Sequence, residues 1–132
     1  MSKSSAPIQG RSIPGSTAVD LSMKDARWRS DLTPALGGSG QDPDPHDLLD
    51  SSLVACTILT VQLYAKRKQY PLESVEVTLT HDEDDAVYRM QRQVVFGGAL
   101  SEEQKADLLR VANACPLHKA LQKRFEITTE MG

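Results

Sequence analysis

Two cysteines, Cys56 and Cys115, are the residues of this 132-residue chain with the most distinctive chemistry. They lie far apart along the sequence, so only folding can bring them together. Two thiols in contact can cycle between a dithiol and a disulfide by thiol–disulfide exchange. A buried cysteine without a partner behaves instead as a small hydrophobic residue. The pair therefore indicates either a redox site or two unreactive core positions.

The two cysteines have different predicted surroundings. Pro116 suits the first position of a helix, which puts Cys115 at the N-cap, where a thiolate would face unpaired backbone N–H groups. Cys56 lies within a long apolar segment, and burial disfavours the charged form of a thiol. From the residues alone, Cys115 is the better candidate for a thiolate.

A zinc site is an alternative use of the same cysteines. Cys115 and His118 are spaced i, i+3, and Cys56 and His46 could complete a set of thiolate and imidazole ligands. No close Cys-x-x-Cys pair supports this arrangement. The sequence therefore favours redox chemistry over metal binding.

Charged residues near the predicted elements could support a thiolate. Arg27 and Arg29 flank Trp28, and on a strand these two arginines would point to the same face. One or both could hold a thiolate, although charged residues more often form a solvated face. Asp47 lies near the start of the predicted central helix, on the opposite side of a straight helix from Cys56. Asp47 could therefore work with Cys56 only if the helix bends or if another subunit supplies the partner.

The sequence pattern predicts the elements that must position these residues. Residues 1–16, rich in Ser, Pro and Gly, are expected to form a flexible tail, and residues 17–132 a single domain. Alternating apolar and polar residues predict five strands, at residues 17–23, 27–31, 74–80, 87–96 and 125–129. The first two strands should form a hairpin with its turn at residues 24–26. Helices should begin at Pro45, after Ser101, which forms a capping box with Gln104, and after Cys115. The predicted fold is α+β, with antiparallel sheets around a buried central helix.

Composition excludes several classes of protein. The central helix is apolar on nearly every face from Leu53 onward, which indicates enclosure by other elements. Its most apolar stretch, residues 53–65, is shorter than the roughly 20 residues of a membrane span. The net charge of -3 and pI near 5.6 argue against nucleic-acid binding. Residues 1–16 contain no apolar run, so they do not predict a signal peptide. We expect a cytoplasmic protein, not bound to membranes, whose thiols are kept reduced.

Three stretches of the sequence together resemble one family. They are residues 36–57 (with LGG and ACT), residues 64–77 (with YAKRK and YPLE) and residues 115–121 (CPLHKAL). At these spacings they are similar to the family of osmotically inducible protein C (OsmC) and the organic hydroperoxide resistance (Ohr) proteins. The resemblance covers the chain from residue 17 to its end, and it points to the OsmC-like branch.

The resemblance implies an intertwined homodimer with active sites at the subunit interface. It implies a thiol peroxidase in which Cys56 attacks an organic hydroperoxide and Cys115 resolves the product as an intramolecular disulfide. An external dithiol, for which a lipoyl-type compound is a candidate, would then reduce that disulfide. Because the cysteines carry the redox change, no cofactor or metal is expected.

Two positions depart from the family pattern. The peroxidases of the family hold the reactive thiolate with an arginine, which a glutamate before the central helix orients. Here Asp47, one methylene shorter, is the nearest match to that glutamate, and Arg27 and Arg29 are candidates for the arginine by location. The departures leave an alternative open, a catalytically weak dimer that binds a small apolar molecule or acts as a thiol redox switch.

Overall fold

The computed structural model describes residues 6–132. They fall into two compact units, one up to Leu49 and the other from Asp50 to Gly132. The single domain expected over residues 17–132 stays a prediction. Residues 1–5 of the expected tail lie outside the described part of the chain.

The first unit contains a three-stranded antiparallel sheet in the order β1 (Gln9–Ser12), β2 (Val19–Met23) and β3 (Ala26–Ser30). The predicted β2–β3 hairpin is confirmed, and Lys24 in its turn has the positive φ of 52° that a tight turn needs. Strand β1 was not predicted. The expectation of a flexible tail is wrong for residues 9–12, because they pair with β2 from Gln9↔Ser22 to Ser12↔Val19.

Asp31 fixes the chain as it leaves β3. Its carboxylate accepts hydrogen bonds from Thr17 Oγ1 at 2.6 Å, from the Leu32 amide at 2.7 Å and from the Ser39 amide at 3.1 Å. These donors, the Thr17 hydroxyl first, lower the pKa of Asp31 because they stabilise its ionised form. The carboxylate therefore orders the loop that leads to the central helix.

The central helix, α1, runs from Pro45 to Lys68, as the sequence predicted. At its start Asp44 and Asp47 exchange hydrogen bonds, because the carboxylate of each accepts from the backbone amide of the other, at 2.8 and 3.0 Å. This reciprocal pairing satisfies amides that a helix start leaves without intrahelical partners.

One stripe of α1 is buried, at Leu53, Thr57, Val61 and Ala65. This four-residue spacing keeps all four on one face of the helix. The expectation that the helix would be enclosed on nearly every face is wrong for the single chain, since Leu59 and Leu63 are 64% and 50% exposed.

By length and composition alone, α1 could cross a membrane. It has 24 residues, and an 18-residue window has a mean hydropathy of 1.5. The apolar stretch identified from sequence, residues 53–65, was shorter than the whole helix and therefore understated its apolar length. The core helix of a soluble protein passes the same test, so the finding is weak evidence for a membrane span.

The second unit contains a β-hairpin and two helices after α1. Strands β4 (Leu72–Glu83) and β5 (Tyr88–Gly98) pair in antiparallel register; β4 extends beyond both of its predicted limits, and β5 extends beyond its predicted end. Helix α2 (Glu102–Ala112) begins with the predicted Ser101–Gln104 capping box, and α3 (Pro116–Leu121) follows Cys115. The core comprises Val61, Ala65, Leu108, Val111 and Ala112. It packs α1 and α2 together and fixes the surroundings of both cysteines.

The predicted closing strand at residues 125–129 is wrong. This segment has no regular secondary structure, and Phe125 and Ile127 are 60% and 83% exposed. Alternation can indicate a strand, but a strand also needs a hydrogen-bonding neighbour. No described strand of the chain pairs with this segment. The fold class itself, α+β with antiparallel sheets and a central helix, is confirmed.

Candidate functional site

Cys115 is the N-cap of α3, as the sequence predicted. Its backbone is extended, with φ -65° and ψ 149°, and its Sγ accepts a hydrogen bond from the His118 amide at 3.4 Å. The Cys115 side chain is fully buried. Pro116 in the next position has no amide hydrogen to leave unsatisfied, which suits the first turn of a helix.

Cys56 lies on α1 and reaches the same place from the other side. Its Sγ accepts a hydrogen bond from the Leu117 amide at 3.4 Å, and Thr60 Oγ1 lies 3.8 Å from the sulfur. Leu117 and His118 are consecutive residues, whose Cα atoms are about 3.8 Å apart across a trans peptide. Folding therefore brings the two sulfurs to adjacent backbone amides of α3. Both thiols are free.

The two cysteines differ in their exposure. Cys56 is partly exposed, whereas Cys115 has no exposed surface. Cys56 is therefore the more accessible residue of the two. This asymmetry is what a sequential two-thiol reaction requires, since one sulfur must meet the reagent first.

Arg92 on β5 connects the segments that carry the cysteines. Its Nη1 donates to Thr57 Oγ1 at 2.8 Å and to the Ala112 carbonyl oxygen at 3.1 Å. Its Nη2 donates to Asn113 Oδ1 at 3.4 Å and to His118 Nδ1 at 2.6 Å. One side chain thus contacts the residue after Cys56 and residues on both sides of Cys115.

None of these four partners of Arg92 carries a negative charge. They are a hydroxyl, a carbonyl, a side-chain amide and an imidazole nitrogen. Burial, and then the positive charge of Arg92, lower the pKa of His118, so its ring is neutral at pH 7. Because Nδ1 accepts from Arg92, the ring proton of a neutral His118 is on Nε2.

The arginines predicted from sequence lie in the first unit and have local partners. Arg29 Nε bonds to Asp20 Oδ1 at 2.9 Å, and Arg27 Nη1 donates to the backbone oxygens of Lys24 and Ala26. Asp47 takes part in the helix-start pairing described above. The catalytic roles of Arg27, Arg29 and Asp47 stay predictions.

Sequence reasoning missed Arg92, although a signal was present. The partly buried positions of β5 around it are Met90, Val94 and Phe96. A cation in an apolar alternation is unusual, because charged side chains are rarely placed on a buried face without a partner. That exception is the feature by which the sequence could have identified Arg92.

A second polar cluster, formed by Asp107, Tyr64, Tyr70 and Arg110, lies between α1 and α2. Asp107 Oδ2 accepts from both tyrosine hydroxyls at 2.7 Å, and its Oδ1 accepts from Arg110 Nη2 at 2.7 Å. These donors, Tyr70 first, lower the pKa of Asp107 to about 2, and the same contact raises the pKa of Tyr70 to about 12. In this cluster the Asp107 carboxylate forms an ion pair with Arg110.

The chain is similar to known proteins in sequence and in structure. A family model described as OsmC-like protein matches residues 38–130. Comparison with curated protein sequences gives no match.

Solved structures of similar proteins show the fold. An OsmC-like protein from Mycoplasma pneumoniae is 19% identical with a TM-score of 0.77, covering 92% of this chain and 89% of the other. The organic hydroperoxide resistance protein OhrB of Bacillus subtilis is 20% identical with a TM-score of 0.61, covering 89% and 90%. A Vibrio cholerae protein described as a putative organic hydroperoxide resistance protein, with captopril in one of its active sites, is 19% identical with a TM-score of 0.65, covering 92% and 87%.

Proposed function

Because the chain belongs to the OsmC-like protein family, we propose that it is a cysteine-based peroxidase that reduces organic hydroperoxides. One observation carries the proposal. The two sulfurs accept hydrogen bonds from consecutive amides of α3, and residue Cys56 is partly exposed whereas Cys115 is fully buried. Cys56 is therefore the sulfur that attacks the peroxide, and Cys115 is the sulfur that resolves the product.

The first step oxidises Cys56. Its thiolate attacks one oxygen of the hydroperoxide ROOH, the O–O bond breaks, and one proton is taken up to give the alcohol ROH and a sulfenic acid on Cys56. The Leu117 amide and the Thr60 hydroxyl, which contact this sulfur, can orient it for the attack.

The second step forms a disulfide and the third restores the enzyme. The thiol of Cys115 condenses with the sulfenic acid of Cys56, and one water molecule leaves. An external dithiol, with a lipoyl-type compound as the first candidate, then reduces the disulfide and is itself oxidised to a disulfide. These steps need no metal or organic cofactor.

The exposed side of α1 supports both the substrate class and a homodimer. Leu59 and Leu63 are exposed in the described part of the chain and lie four residues apart on one face of α1, and contiguous exposed apolar surface marks interaction sites. A second copy packed there would bury this surface close in sequence to Cys56, and apolar side chains would favour an alkyl peroxide over hydrogen peroxide. A cytoplasmic location fits the need for reduced thiols.

The proposal is tested by peroxide consumption with dihydrolipoamide as the reductant. We expect cumene hydroperoxide to be reduced faster than hydrogen peroxide, and Cys56→Ser to lose the activity. Cys115→Ser should stop after one turnover with a sulfenic acid on Cys56 that dimedone traps. Full turnover by Cys56→Ser would overturn the mechanism. A wild-type rate no higher than that of free cysteine would favour a binding role instead.

A further inference from the structure

We propose that Arg92 is a positioning residue, which holds the segments that carry Cys56 and Cys115 at the separation that their disulfide requires. This inference rests on the proposed function, because it concerns the disulfide of the same catalytic cycle. Arg92 belongs to β5. Through this side chain a third element, β5, contacts both cysteine-bearing segments.

One terminal nitrogen of the Arg92 guanidinium fixes α1. Its Nη1 donates to Thr57 Oγ1 at 2.8 Å, and Thr57 is fully buried next to Cys56 in sequence. The Thr57 hydroxyl in turn donates to the Leu53 carbonyl oxygen at 2.7 Å, so both of its hydrogen-bonding directions are used. A hydroxyl that accepts one hydrogen bond and donates another has a fixed orientation. The two bonds therefore fix the position, relative to β5, of the helical turn that carries Cys56.

The other contacts of Arg92 fix the loop around Cys115. The carbonyl of Ala112 and the side chain of Asn113 precede Cys115, and His118 follows it. His118 has two roles, since its ring accepts from Arg92 while its backbone amide donates to Cys115 Sγ. Arg92 therefore forms hydrogen bonds at both ends of the short segment that contains the buried Cys115.

The guanidinium suits this task better than another cation would. It is planar and rigid, and its two terminal nitrogens donate in fixed directions, whereas lysine offers a single flexible nitrogen. Four of its N–H groups are used on four acceptors. Because all of these acceptors are neutral, no ion pair accounts for a partly buried charge at this position. An apolar side chain would avoid the cost of burying it.

The test measures the disulfide directly and needs no peroxide. In a glutathione buffer, the protein dithiol and oxidised glutathione exchange to give the Cys56–Cys115 disulfide and two molecules of reduced glutathione. The equilibrium constant of this exchange reports how well the fold holds the two sulfurs together. It is measured by trapping with acid and counting free thiols by mass spectrometry.

We expect Arg92→Met and Arg92→Lys each to lower this constant by roughly tenfold, as misplaced reacting groups do. The matched control is Arg89→Lys on the same strand, where Arg89 pairs with Asp82 and Asp84 at the surface. The control should keep the wild-type constant. His118→Phe, which removes an acceptor but keeps the backbone amide, should lower the constant several-fold, and it serves as a second variant if the Arg92 variants do not fold.

The sign of the change separates positioning from a purely electrostatic role. A cation that only stabilises a thiolate favours the reduced form, so its loss would raise the constant. A raised or unchanged constant in Arg92→Met, or a wild-type constant in Arg92→Lys or His118→Phe, would overturn the inference. A wild-type protein that forms no Cys56–Cys115 disulfide would overturn the proposed peroxidase mechanism itself, which is a separate result.

Discussion

In the Asp107 cluster a carboxylate is matched by Arg110 at 2.7 Å, and two tyrosine hydroxyls complete its hydrogen bonds. At Arg92 a guanidinium is bonded to four neutral groups. Both clusters lie in the second unit and both tie α1 to later elements. The first pairs opposite charges, and the second is a cation with neutral partners that contacts the segments carrying both cysteines.

The difference indicates what each cluster contributes. A partly buried carboxylate with its hydrogen bonds satisfied is explained by stability alone, since removing its donors would leave a partly buried group unsatisfied. A cation with only neutral partners lacks that explanation. Its contacts with both cysteine-bearing segments fit the positioning role proposed above, and the two clusters should respond differently to substitution.

The largest effect is expected from Arg92→Met on peroxide reduction. Turnover of cumene hydroperoxide should fall by roughly tenfold to a hundredfold, because small displacements of reacting groups are costly. Asp107→Asn provides the comparison and should keep turnover near the wild-type value under conditions in which it is folded. Equal losses in the two variants would mean that the clusters do not differ in function.

The loss of thermal stability should be larger in Asp107→Asn than in Arg92→Met, which is the opposite order to the loss of turnover. Asp107→Asn removes the charge that Arg110 and the two tyrosines stabilise, so its melting temperature should fall by several degrees. Arg92→Met replaces a partly buried charge by an apolar side chain of similar length, so its melting temperature should change less. Thermal unfolding followed by circular dichroism makes the comparison. A larger fall in Arg92→Met would identify that cluster as the structural one.

A smaller effect is expected from pH through His118. Its pKa in the folded protein is below the ordinary value of 6.5, because of burial and of Arg92. The unfolded chain therefore takes up the proton first, and the stability linked to neutral His118 is complete above pH 6.5 and is lost as the pH falls below it. Urea unfolding at pH 7.5 and 5.5 should show a larger decline for wild type than for His118→Phe. Equal declines would assign the pH dependence to other groups.

Elements with local signals could be predicted from sequence. The start of α1 at Pro45, the capping box at Ser101 and Cys115 as the N-cap each depend on a few neighbouring residues, and each is confirmed. The resemblance to the OsmC family, stated from motifs spread along the chain, is confirmed by the family match.

Features that depend on distant partners could not be predicted. Strand β1 has a polar sequence, QGRS, and is a strand only because β2 lies beside it. Residues 125–129 have the right alternation but no neighbouring strand. The partial exposure of α1 depends on how many elements one chain can pack around a helix, which periodicity does not reveal.

The candidate site divides in the same way. The residue types and the motif spacing identified Cys56 and Cys115 as candidates. The sequence directed attention to Arg27 and Arg29 because they flank an aromatic residue on a predicted strand. Arg92 lies far along the chain from both cysteines, and its contacts with Thr57 and His118 exist only after β5 has packed.

The unequal burial of the two thiols also bears on how the protein survives an excess of oxidant. A sulfenic acid that waits too long is carried on to sulfinic and sulfonic acids, which most cells cannot reverse. In the proposed cycle Cys115 is enclosed near the sulfur that oxidises first, so it is itself shielded from that damage. The lifetime of the sulfenic acid in that cycle is set by its condensation with Cys115 and not by the supply of external thiols.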